Sequence, residues 1–200
     1  DAARRALDRA RADVAEVLGA KASEITFTSG GTESDNAAIK GIALAAPRGK
    51  HVIVSSIEHP AVLESAQWLG RLGYDITVLD VDHKGIVAPE TLAAALRDDT
   101  TLVSIQYANN EVGSIQPIAE LAEVAGDVPF HTDAVQAAGW LDLDVGRLGI
   151  QAMSISGHKI GAPKGIGILF VQRRTPFEPL IHGGGQESGR RSGTENVASA

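Results

Sequence analysis

Cysteine is absent from the 200 residues. That excludes disulfide bonds and thiolate metal sites within them. Histidine is sparse, and the six present are scattered with no pair four residues apart. A zinc site on one helical face is therefore excluded too, and no metal is expected. Positive charge is also short. A net charge of −7 leaves no broad surface for nucleic acid or an anionic membrane. The pairs Arg4-Arg5, Arg173-Arg174 and Arg190-Arg191 are too brief to change that. No apolar run approaches the roughly 20 residues of a membrane span. The chain opens in a charged, helical pattern rather than a leader, so a cytoplasmic location is expected. Neither a Walker loop, nor a G-x-G-x-x-G fingerprint, nor a G-x-S-x-G elbow occurs. What remains, with 44% apolar and 22% charged residues, has the profile of a soluble globular protein.

The period alternates between strand and helix. The runs 24–29, 51–56, 75–81, 101–108, 128–134, 152–156 and 165–172 read as short buried strands. Helical patterns separate them: one follows the first strand, one opens at Pro60, one runs from Ala88 with Pro89 near its start, and one begins at Pro117. Strands alternating with helices predict parallel βαβ units: a three-layer α/β/α fold with a mostly parallel central sheet, in one domain. A turn alone joins the last two strands, which predicts an antiparallel pair there.

In open α/β sheets, ligands bind at the carboxyl ends of the strands. Polar, chemically capable residues gather at those ends in the sequence. Ser29-Gly30-Gly31-Thr32 follows the first strand, Glu58-His59 the second, and Asn109-Asn110-Glu111 the fourth. Asp133 and Gln136 follow the fifth, and Ser156-Gly157-His158-Lys159 the sixth. The glycine-to-helix junction at Gly31-Thr32 suits a phosphate and suits an ordinary βα turn capped by Thr32 equally well. Taken alone, His59 reads as a loop histidine. Asp133 is a buried carboxylate that needs a partner, or a cap for the segment after it. Lys159 is a solvated lysine, or a shielded amine able to form a Schiff base. The set as a whole is what pyridoxal 5'-phosphate requires: a phosphate cradle, a lysine for the aldehyde and a carboxylate for the ring nitrogen.

Six stretches carry a resemblance: "ITFTSGGTESDNAAIKG", "EHPAVLE", "NNEVGSIQPI", "HTDAVQ", "SGHKIGAPKGIG" and "HGGGQESGRRSGT". In order and spacing the chain resembles the group I cysteine desulfurases, the NifS/IscS type within the class V aminotransferases. The resemblance implies the large domain of a pyridoxal-phosphate enzyme over residues 1–200, cut short at both ends and without its small C-terminal domain. It implies a catalytic Lys159 that holds the cofactor, aided by His59 stacked on the ring. It puts Gly31, Thr32, Ser156 and His158 at the phosphate, Asp133 at the ring nitrogen, Gln136 at the ring hydroxyl and Asn110 beside the ring. Thr194 would reach the phosphate of a partner subunit in a homodimer. The implied reaction removes sulfur from L-cysteine, giving L-alanine and an enzyme persulfide. An acceptor such as an iron–sulfur scaffold, or a thiolation pathway, would take the sulfur. A selenocysteine lyase or another enzyme of the class is the alternative, and a non-catalytic scaffold of the same fold stands further off. The sequence departs at Ser188, where the family usually has arginine, and in lacking the cysteine that the family's mechanism employs.

Overall fold

The computed structural model describes residues 2–46 and 48–200. Helix α1 (Ala2–Val17) leads into β1 (Ile25–Thr28), followed by α2 (Gly31–Ala45), β2 (His51–Ser55), α3 (Pro60–Gly70) and β3 (Asp75–Leu79). Then come α4 (Pro89–Ala95), β4 (Thr100–Ser104), α5 (Ile118–Ala125), β5 (Phe130–Asp133), α6 (Val145–Leu148), β6 (Ala152–Ser156) and β7 (Gly167–Val171). The strands form one seven-stranded sheet in the order β1-β7-β6-β5-β4-β2-β3. β2 pairs with β3 and β4, β4 with β5, and β5 with β6, all parallel. β7 runs against both neighbours, β6 and β1. The expected antiparallel turn-linked pair is present. Its insertion beside the first strand was not legible in local sequence.

Alternation along the strands divides the core between two faces. Val52, Val54, Leu102, Ala152, Leu169 and Val171 pack with α2 and α3. Their neighbours Ile53, Val103, Met153 and Phe170 point the other way, to α1, α4, α5 and α6. Both faces are covered, so the strands read as continuous apolar runs. Each fully buried Leu, Ile or Phe contributes about 1.5–3 kcal/mol of burial free energy.

Several element ends differ from the sequence reading, and two of them have a clear cause. The fourth strand ends at Ser104, but the extended chain continues beside β5, with Tyr107 N–H donating to Asp133 O at 2.8 Å. That continuation carries Gln106 and Ala108 toward the strand ends. Helix α4 stops at Ala95, because Arg97 turns the chain into β4. Its N–H donates to Thr100 Oγ1 at 2.8 Å, and its guanidinium pairs with Asp99 and Asp75. Among the described residues, no helix is long and apolar enough to cross a membrane.

Candidate active site

Every parallel strand delivers its carboxyl end to the same sheet edge, where a cleft of about 290 Å³ opens. Nine of the candidate residues line it: Gly31 and Thr32 from the start of α2, His59 at the head of α3, and Asn110 beyond β4. The other five are Asp133 and Gln136 after β5, with Ser156, His158 and Lys159 after β6. Thr194 is not among them; it lines a separate hollow with Ser29 and Arg191.

Helix α2 is capped by Gly30 with no side-chain hydrogen bond, so Thr32 is not the cap. The first-turn N–H groups and the helix dipole face the cleft, an arrangement that attracts an anion. Gly31 must lack a side chain, because a Cβ there would lie 2.8 Å from Val135 Cγ2 and 3.3 Å from Ser156 Cβ. Facing the helix end, Ser156 Oγ and His158 Nδ1 share a hydrogen bond of 2.8 Å. Glu33 anchors the turn by accepting from Ser29 N–H and from the Arg191 guanidinium, at 2.9 and 2.8 Å. Burial works against the Glu33 charge, yet those hydrogen bonds hold its carboxyl below the ordinary value.

His59 and Asp133 each cap a local turn while facing the cleft. His59 Nδ1 accepts from Ala61 N–H at 3.0 Å, with Pro60 in the first turn of α3. Asp133 Oδ1 accepts from Val135 N–H at 2.9 Å. Burial raises the Asp133 carboxyl above its ordinary value, while the Val135 N–H and the nearby His59 pull it back. Lys159 ends a single 3₁₀ turn, Gly157–Lys159, directly after β6. The glycine before it serves packing rather than an approaching ligand: a Cβ on Gly157 would lie 2.5 Å from Ile166 Cγ2 and 3.0 Å from Ile166 O. Gly157 thus lets the returning chain close behind the turn.

Sequence reasoning missed Asp35, Gln106, Ala108 and Val135, which also line the cleft. Asp35 was detectable, since it follows Thr32 by three residues and a helix places such positions on one face. Glu58, next to His59, is buried and accepts from Ser55 Oγ and from Gln106 N–H. Burial pushes its carboxyl up to about 8 against those two bonds. Among the described residues, no group of three or more His, Cys, Asp or Glu side chains is placed to hold a metal ion.

Residues 1–200 match the family model described as Aminotransferase class-V. The chain belongs to the aminotransferase class-V family. Within it, cysteine desulfurase IscS of Dictyoglomus turgidum is 53% identical over 98% of this chain and 50% of its own length. Cysteine desulfurase IscS of Methanosarcina thermophila is 54% identical over 96% of this chain and 48% of its own. The solved structure described as "SspA in complex with cysteine" superposes with a TM-score of 0.94 at 44% identity, covering 98% of this chain and 58% of the other. A NifS-like protein gives a TM-score of 0.95 at 42% identity, covering 98% of this chain and 55% of the other. The chain spans about half the length of the curated class-V relatives it matches.

Proposed function

We propose that these residues form the cofactor-binding part of a pyridoxal-phosphate-dependent cysteine desulfurase, which takes sulfur from L-cysteine and leaves L-alanine. One observation carries the reading: Lys159, the buried Asp133 and the open N-terminus of α2 converge on a single cleft. The names of the curated relatives and the neighbour described with cysteine support the substrate.

The residues present fit pyridoxal phosphate. The bare Gly31 backbone, Thr32, Ser156 and His158 would hold the phosphate. Asp133 would meet the ring nitrogen, Gln136 the ring hydroxyl and Asn110 the ring edge, with His59 stacked on the face. The bound cofactor supplies an electron sink beside the substrate's α-carbon. Lys159 Nζ would bind the cofactor's aldehyde carbon and later carry a proton at the substrate's α-carbon, with His59 assisting. Asp133 keeps a negative charge where the ring nitrogen holds its proton. A thiol able to take the sulfur is not among these 200 residues. The reading extends to a cytoplasmic homodimer in which Thr194 reaches the partner's phosphate, and to an acceptor protein such as an iron–sulfur scaffold.

The test uses the full-length protein loaded with pyridoxal phosphate. Borohydride reduction followed by peptide mapping is expected to leave the pyridoxyl group on Lys159, and L-cysteine is expected to yield alanine. A pyridoxyl group on Lys164 or Lys84 instead would overturn the assignment.

A further inference from the structure

The proposed function employs Asn110 and leaves its neighbour Asn109 without a task. Asn109 does not line the cleft. It stands where the continuation of β4 gives way to the loop that carries Asn110. Ala108 and Ile115 bridge the base of that loop, and Asn109 N–H donates to Ser114 O at 2.9 Å. The Asn109 side chain makes three further hydrogen bonds. Its Oδ1 accepts from Glu111 N–H and from Val112 N–H, both at 2.8 Å. Its Nδ2 donates to Ile57 O at 2.9 Å, 52 residues away in sequence. Ile57 belongs to the turn after β2, two residues before His59.

We infer that Asn109 is a positioning residue that ties the turn of His59 to the loop of Asn110 and so sets where both stand around the cofactor ring. The inference rests on the reading of the cleft as a pyridoxal-phosphate site, with His59 on the ring face and Asn110 at its edge. The chemistry of the side chain supports it. The two backbone N–H groups can only donate and Ile57 O can only accept. The amide must therefore turn its oxygen to the loop and its nitrogen to the turn. Aspartate would keep the acceptor and lose the donor, and alanine would lose both.

The surroundings point the same way. Gln106 Nε2 also donates to Ile57 O, and Gln106 N–H donates to Glu58 Oε1 at 2.8 Å. The His59 turn thus hangs on the continuation of β4. Of these anchoring side chains, Asn109 is the one that also reaches into the Asn110 loop. Val112 is 67% exposed. Packing contributes little there, and the two bonds to Oδ1 set the shape of the loop. Displacing a positioned group by about 1 Å can cost on the order of a hundredfold in rate. A residue outside the cleft can therefore act through the two that line it.

Asn109→Asp in the full-length protein separates this role from that of a local loop cap. It keeps the acceptor for Glu111 and Val112 and sets an oxygen against Ile57 O. Equilibrium binding of pyridoxal phosphate is expected to weaken by at least about fivefold. In a His59→Ala background the same substitution should change binding by less than about twofold, because the group it positions is gone. A local cap predicts that Asn109→Asp binds as the parent does. That result overturns the proposal, and so does an equal loss in both backgrounds. Hydrogen exchange without cofactor gives a second readout. Asn109→Asp should quicken exchange at Ala61, whose N–H donates to His59 Nδ1, and leave Glu111 and Val112 slow. An unchanged Ala61 rejects the tie. In the parent, the Glu111 and Val112 amides should exchange at least about tenfold more slowly than in an unstructured chain. Exchange at the unstructured rate overturns the proposal even if no variant folds. If the parent takes up no pyridoxal phosphate, the cofactor reading of the cleft fails, and Ala61 exchange still decides whether Asn109 holds the His59 turn.

Discussion

At the scale of single residues, the site is defined by carboxyls kept out of water. Asp133 is the one the proposed function employs. Asp133→Asn keeps the size and the Val135 contact and removes the charge, so the rate of alanine formation should fall by about a hundredfold or more. Steady-state kinetics with L-cysteine measure this, and an unchanged rate would reduce Asp133 to a turn cap. Glu58 and His131 predict the pH dependence of stability, with opposite signs. Glu58 has its folded pKa raised to about 8, so its contribution is complete below its ordinary value of 4.5 and is lost as pH rises through 8. His131 is lowered to about 3, so its contribution is complete above its ordinary value of 6.5 and is lost as pH falls toward 3. Between 4.5 and 6.5 the two slopes oppose each other. Above 6.5 the Glu58 loss acts without that offset. Denaturant unfolding at pH 6 and pH 9 should show the parent losing on the order of a few kcal/mol more than Glu58→Gln. Equal losses would mean that Glu58 stays ionised in the fold.

At the scale of elements, α2 is the piece on which the cleft depends. Its first turn offers N–H groups, its third and fourth residues bring Glu33 to Arg191 and Ser34 to Thr28, and Asp35 follows on the cleft side. Gly31→Ala should destabilise the fold by about 1–3 kcal/mol through contact with Val135. It should also weaken pyridoxal phosphate binding by at least about tenfold, since the methyl group fills the cradle. Calorimetry checks both, and a variant that binds as the parent does would remove Gly31 from the cradle. The strands and the residues at their carboxyl ends were legible in the sequence, because apolar runs broken by polar strand ends are local signals. Strand β6 was read to the residue, and nine candidate residues do share a cleft. The length of α4 was not legible, because Arg97 stops it through Asp75 and Asp99. Nor was the four-residue α6, whose cap Asp144 accepts one hydrogen bond from Arg147 N–H at 2.9 Å. Asp35 went unread although its spacing from Thr32 puts both on one face of α2; its burial against β5 and β6 was the part that local sequence did not show.

At the scale of the whole molecule, Thr194 lies outside the cleft of its own chain. If it serves a second subunit, Thr194→Ala should weaken cofactor binding several-fold in a dimeric preparation while leaving the hydrodynamic size unchanged. Unaltered binding would argue that each cleft is complete alone. The reversed strand β7 has a consequence for how the molecule comes into being. Among the described residues β1 has no sheet neighbour except β7, so Ile25 waits for Phe170, and Thr28 for Gly167, across most of the chain. Strands β2, β3, β4 and β5 can zip together from nearby partners, whereas the edge that carries Gly31 closes only after the Lys159 turn has been made. Contacts of such long separation are slow to form, because the intervening loop must be closed first. The side of the cleft that carries Gly31 is therefore expected to be assembled late in folding. Pulse-labelled hydrogen exchange on the refolding full-length protein should find amides of β2 and β4 protected before those of β1 and β7. A newly made chain would then be unable to capture its cofactor until its central sheet already exists.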